Sequence, residues 1–203
     1  MSIRLPNDTT ILKRVLSTSK DDPRCPDGYI PYKGKYLFFS DYYLCVLNDP
    51  HGFSQTTRPF MSEDTINKVC KGDRGDSCWD ISAFDSRLPH YDIHLQDLFS
   101  VVEENGGQTK CRTPYAVGRR YYNASYVFDM CCLLNRYTAK LAAGMPGDTT
   151  MEVYIKDRRP AYLERNATLC GMWIFNEDGE CAYILPINPR CNPECNEEEK
   201  EDE

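Results

Sequence analysis

Eleven cysteines, at positions 25, 45, 70, 78, 111, 131, 132, 170, 181, 191 and 195, constrain this 203-residue chain more than any other feature. Their frequency is several-fold above ordinary usage. Spread along the whole body, they predict a disulfide framework formed in an oxidising compartment. A bridge between the neighbours Cys131 and Cys132 would need a strained ring, so each is expected to pair with a distant partner. The odd total leaves at least one thiol outside any intramolecular pairing. Zinc is the alternative, with Cys170, Cys181, Cys191 and Cys195 as four thiolates. No C-x2-C pair occurs, however, and Cys191 to Cys195 is the only close spacing among those four.

Hydrophobic residues make up 41% and charged residues 27%, and no apolar run approaches the length of a membrane span. These values exclude a spanning helix and a wholly disordered chain. The net charge is -7, most of it in the tail Asn196 to Glu203, which holds six acids and one lysine. The nearly neutral body argues against nucleic acid as a partner. Met1 to Leu16 has neither a continuous apolar core nor a small-residue cleavage site. The cysteines therefore predict an extracellular protein whose signal peptide is absent from this chain.

Thr9 and Thr10 predict the cap of a short helix over 11–16. Lys35 to Leu47 is rich in aromatic and β-favouring residues and reads as one or two strands. Ser62 to Gly72 and Asp92 to Glu104 read as helices, the second stopped by Gly106 and Gly107. Ala124 to Ala143 is the longest helical candidate. Strands follow at Met151 to Ile155, Cys170 to Phe175 and Cys181 to Leu185, the last two joined by a turn at Asp178 and Gly179. The pattern predicts an α+β fold: a single disulfide-rich secreted domain with a small antiparallel sheet, several helices and a late β-hairpin. It would comprise an extension over 1–24, a domain over 25–195 and a disordered acidic tail over 196–203.

The sharpest motif is Cys70-Lys-Gly-Asp-Arg-Gly-Asp-Ser-Cys78. Arg74, Gly75 and Asp76 within it resemble the integrin-binding RGD motif. That resemblance implies an Asp76 carboxylate completing the oxygen shell of a receptor-bound cation, and an Arg74 guanidinium meeting an acidic pocket. A Cys70–Cys78 bridge would hold the loop outward and reduce the ordering cost of binding. Asn7, Asn123 and Asn166 each begin an N-x-[ST] glycosylation sequon. His90 and His94 are four apart, a spacing that on a helix would let both ligate one metal. The bland reading, residues at a helix start, is preferred, and no metal or cofactor is implied. The Arg/Tyr-rich stretch of Arg112, Tyr115, Arg119, Arg120, Tyr121 and Tyr122 reads as a strand or loop packing its tyrosines.

Cys25-Pro-Asp-Gly-Tyr-Ile-Pro-Tyr-Lys-Gly-Lys-Tyr-Leu-Phe-Phe-Ser40 resembles the opening strand of C-type lectin-like domains. Tyr36 stands where that family has its second cysteine, and no W-I-G or W-N-D motif follows, so the fold is not carried over. A lipocalin-type binder is disfavoured by the helical middle and by the lack of an early G-x-W. None of the G-x-S-x-G, H-E-x-x-H, Walker A or G-x-G-x-x-G signatures occurs. The sequence thus predicts a secreted, non-catalytic binding protein engaging an extracellular or cell-surface protein such as an integrin. The alternative is a small-molecule carrier with a cavity lined by Phe38, Tyr43, Phe99 and Tyr126. A hydrolase using two buried carboxylates ranks third.

Overall fold

The computed structural model describes residues 7–17, 28–32, 34–39, 43–55, 88–107, 110–118, 120–135, 150–155 and 171–187. Among them, chain order runs α1 (Asp8–Ser17), β1 (Ile30–Tyr32), β2 (Lys35–Phe39), β3 (Tyr43–Leu47), β4 (His90–His94), α2 (Leu95–Glu104), β5 (Pro114–Val117), β6 (Arg120–Asn123), α3 (Ala124–Asn135), β7 (Thr150–Ile155), β8 (Met172–Phe175) and β9 (Cys181–Ile184). Seven strands form one antiparallel sheet in the order β1-β2-β3-β9-β8-β7-β4, and β5 pairs with β6 in a separate ribbon.

The sheet is built by two-residue alternation. Phe38, Tyr43, Cys45, Leu47, Val153, Ile174 and Ala182 lie in the core shared with the helices. Their neighbours Leu37, Leu44, Val46, Trp173, Cys181 and Tyr183 form a second cluster. Every residue of β3 and β9 is consequently buried, which accounts for their unbroken apolar runs. Each such large side chain contributes roughly 1.5–3 kcal/mol by leaving water.

Helix α3 sits at the centre of this core. All of its residues except Tyr126 are buried, and it packs against α1, α2, β6, β8 and β9. A helix buried around its whole circumference, with apolar residues on most of it, is stable only when surrounded in this way. Helix α2 buries one stripe, Leu95, Leu98 and Val102. It ends in a Schellman turn: Gly107 N–H donates to the Val102 carbonyl at 2.9 Å and Gly106 N–H to Glu103 at 3.3 Å. Both glycines have positive φ, and Gly106 supplies the one left-handed residue that turn requires.

The fold class differs from the one predicted. Among the described residues the sheet is large rather than small, with seven strands and three short helices in place of a small antiparallel sheet with several helices. The disulfide framework is also overturned among the described residues. Cys45, Cys111, Cys131, Cys132 and Cys181 are all buried and all free. They act as small hydrophobes filling the core, a role that free cysteine serves well. Cys45 and Cys181 illustrate the geometry: they lie on adjacent strands but in the two different clusters, on opposite faces of the sheet. Neither disulfide nor zinc explains their frequency there, since no group of three or more metal-ligating side chains occurs among the described residues.

Two boundaries also move. The helix expected over 92–104 is strand β4 followed by α2, with the junction at His94 and Leu95. Helix α1 starts at Asp8 and is capped by Asn7, not by Thr9 or Thr10. The Asn7 Oδ1 accepts from Thr10 N–H at 2.9 Å and from Thr10 Oγ1 at 2.8 Å. The expected helix over 62–72 and the stretch 136–143 lie outside the described residues.

Candidate functional site

Where the end of α3 meets β7 and the β8–β9 turn, the surface forms an open groove of about 620 Å³. Strand alternation and helix ending together define its lining. Leu134, Asn135 and Met151 are its buried residues, Tyr154 and Phe175 are half-buried, and Glu152, Glu177 and Asp178 are exposed. The Asn135 Nδ2 donates to the Met151 sulfur at 3.0 Å, tying α3 to β7.

A polar network centred on one buried carboxylate fixes the turn that forms one side. Glu180 is 1% exposed. Its Oε1 accepts from Asn48 N–H at 2.8 Å, and its Oε2 accepts from Asn176 Nδ2 at 2.9 Å. The same Asn176 amide donates to the Leu134 carbonyl at 3.0 Å, and its Oδ1 accepts from Glu180 N–H at 2.9 Å. Asn48 Nδ2 reaches the Asp178 carbonyl at 2.9 Å, and the Lys35 ammonium donates to the Gly179 carbonyl. Gly179 supplies the positive φ of the turn. The turn is thus tied to β3, β2 and α3, and the groove's edge is held in place before any ligand arrives.

The aromatic wall belongs to the second face of the sheet. Tyr154 and Phe175 meet edge to face with ring centroids 6.1 Å apart, and Phe175 stacks on Trp173 at 6.0 Å. Trp173 in turn packs on Tyr183 at 4.3 Å. Three exposed carboxylates and two half-buried aromatic rings therefore share one concavity. No Lys, Arg or His occurs among its described lining residues.

The residues singled out from sequence fall elsewhere. Arg74, Gly75, Asp76, Cys70, Cys78 and Asn166 lie outside the described residues. Asn123 caps α3: its Oδ1 accepts from Ser125 N–H at 3.0 Å and Tyr126 N–H at 3.4 Å. It is 8% exposed, whereas Asn7 is exposed. His90 and His94 occupy a strand, where four residues span about 13 Å, too far for two ligands of one ion. His94 Nδ1 instead lies 3.1 Å from Thr150 Oγ1.

The space expected as a carrier cavity is packed with side chains. Tyr43 and Tyr126 meet at a centroid distance of 5.0 Å, Phe99 and Phe128 at 5.5 Å, and Phe38 is fully buried. Among the buried acids, Asp129 has its carboxyl pushed up to about 6 by burial, against the opposing pull of Arg14. Arg14 binds it from α1, away from the groove's lining. Of the Arg/Tyr stretch, Tyr115 lies in β5 and Arg120, Tyr121 and Tyr122 in β6, with Tyr115 opposite Tyr122 and Tyr122 fully buried, while Arg119 lies outside the described residues. Burial raises the Tyr115 hydroxyl pKa, with Cys131 and Asp97 adding to the shift.

The groove itself was not anticipated. Its residues come from three distant segments, and the only sequence signal was the alternation that sets Glu152 and Tyr154 opposite Met151, Val153 and Ile155. Compared with protein families, characterised proteins and solved structures, the chain matches none.

Proposed function

We propose that the protein is a small-molecule binding protein whose ligand site is the groove between α3, β7 and the β8–β9 turn. The observation that carries this reading is the half-buried Tyr154–Phe175 wall opening into about 620 Å³. Ligand sites occupy roughly 300–1,000 Å³ and combine apolar walls with a few placed polar groups. The Glu180 network supports the reading by holding the turn rigid. A fragment screen by NMR on the full chain tests it. Hits should perturb Tyr154, Phe175 and Asn176, and Thr150→Trp, placed at an exposed lining position, should abolish them. Hits that bind elsewhere, or that survive Thr150→Trp, refute the reading.

A second reading, adhesion through Arg74, Gly75 and Asp76, is supported by the tripeptide in the sequence. It predicts that cells spread on the immobilised protein in a divalent-cation-dependent manner. Asp76→Glu should eliminate the spreading, because the longer side chain displaces the carboxylate from the receptor's cation. Equal spreading on the variant refutes it.

A further inference from the structure

Among its described lining residues the groove's charge is one-sided. Glu152, Glu177 and Asp178 are acidic, and the remaining described lining residues are neutral. The Tyr154 hydroxyl donates to Glu152 Oε1, which holds that carboxylate beside the aromatic wall. Among the described residues three bases lie near the groove but outside its lining, and one of them, His90, packs its ring on Tyr154 at a centroid distance of 6.1 Å. Lys35 donates its ammonium to the Gly179 carbonyl, and the His94 imidazole lies against Thr150 Oγ1. An aromatic face attracts a cation within about 6 Å of its centroid. Two rings and three carboxylates around one concavity therefore form a complementary surface for positive charge. An anion would meet like charge there, and a neutral ligand would gain only the apolar contact.

Resting on the reading of the groove as a ligand site, we infer that its ligand is an organic cation, an ammonium group attached to an apolar body. The body lies against Leu134, Met151 and Phe175. The ammonium faces Tyr154 and the carboxylates of Glu152, Glu177 and Asp178.

Calorimetric titration of the full chain tests this with four probes: choline, the uncharged isostere with carbon in place of the choline nitrogen, benzyltrimethylammonium, and phenylacetate. Both ammonium probes should bind, the isostere should bind about tenfold more weakly than choline, and phenylacetate should not bind. The double variant Glu152→Gln, Asp178→Asn changes only exposed side chains. It should weaken choline about fivefold and reduce the salt dependence of its binding. Equal affinity for choline and its isostere, or unchanged choline binding in the double variant, overturns the cationic assignment and leaves the groove reading standing. Ammonium binding insensitive to Thr150→Trp, or no binding by any probe, overturns the groove reading and this inference with it.

Discussion

Arg14 reaches across 115 residues of sequence to grip Asp129, its Nε donating to Oδ2 at 3.0 Å and its Nη2 to Oδ1. The fork-to-fork geometry suits a guanidinium and a carboxylate. Asp129 is 5% exposed on the central helix, so this pair and the buried Ile11 and Leu12 fasten α1 to α3. Removing one partner of such a pair leaves a charge in the interior. Arg14→Met should therefore destabilise the fold by about 2–4 kcal/mol, read as a shift in urea midpoint. A shift below about 0.5 kcal/mol, the scale of an ordinary surface substitution, would refute the fastening role.

The same carboxyl makes stability depend on pH. Burial raises its pKa from 3.8 to about 6, while the hydrogen bond and charge of Arg14 pull the other way. The folded chain thus binds the proton more tightly than the unfolded chain. The contribution of Asp129 is fully present below about pH 4 and is lost as pH rises through about 6. Relative to Asp129→Asn, the wild type should lose on the order of 2–3 kcal/mol between those limits. Parallel pH–stability curves for the two proteins would contradict this.

Glu180 is the corresponding buried acid of the turn, and its oxygens are taken up by Asn48 N–H and Asn176 Nδ2. Glu180→Ala removes the acceptor of both part-buried donors and should cost about 1–3 kcal/mol. Glu180→Gln keeps one accepting oxygen and should cost less. Amide exchange checks the mechanism: Asn48 and the 176–180 turn should lose protection in Glu180→Ala before the β2–β3 pairing does. Uniform loss across the sheet would mean the network does not act locally.

The strands were the legible part of the fold. Alternation in 151–155, the aromatic run over 35–47 and the Asp178-Gly179 turn each carry their signal in adjacent residues. Ile93 was misread because it lies two residues before Leu95, and a strand feeding directly into a helix blends two periods into one apparent stripe. The cysteine argument failed for a different reason. A thiol in a core and a thiol in a bridge leave the same letter, and only the distance to a second sulfur tells them apart. The groove was illegible because α3, β7 and the β8–β9 turn come together solely through tertiary packing.

Two sequons proved to contain helix caps. Asn7 precedes α1 and Asn123 precedes α3, and each turns its Oδ1 onto the first-turn N–H groups. Asparagine is favoured at that position for this reason. Asn123→Ala should cost about 1–2 kcal/mol, and Asn123→Asp should restore most of the loss, since it keeps the accepting oxygen. Asn7→Ala, at an exposed end, should cost at most about 1 kcal/mol. Thermal denaturation of the three variants gives the ranking. Equal losses for Asn123→Ala and Asn123→Asp would show that packing, not capping, fixes the residue.

The buried thiols give the most direct chemical check on the interior. Burial raises the Cys45, Cys131 and Cys132 thiols far above their ordinary range. It also pushes Cys181 up to about 12, with Glu180 adding to the effect and Lys35 and a backbone hydrogen bond from Val46 opposing it. Only the thiolate is an effective nucleophile, and these sites neither form it nor expose it. Alkylation of the native protein near neutral pH should leave Cys45, Cys131, Cys132 and Cys181 unlabelled, as well as Cys111, which is equally buried. After denaturation without reductant all five should label, because none is held in a disulfide. Peptide mass spectrometry reads both states. Labelling of Cys45 or Cys131 in the native protein would mean that the core opens on the timescale of the reaction. Failure of either to label after unfolding would mean that it is oxidised, and the packing described for α3 and β3 would then have to be redrawn around a cross-link.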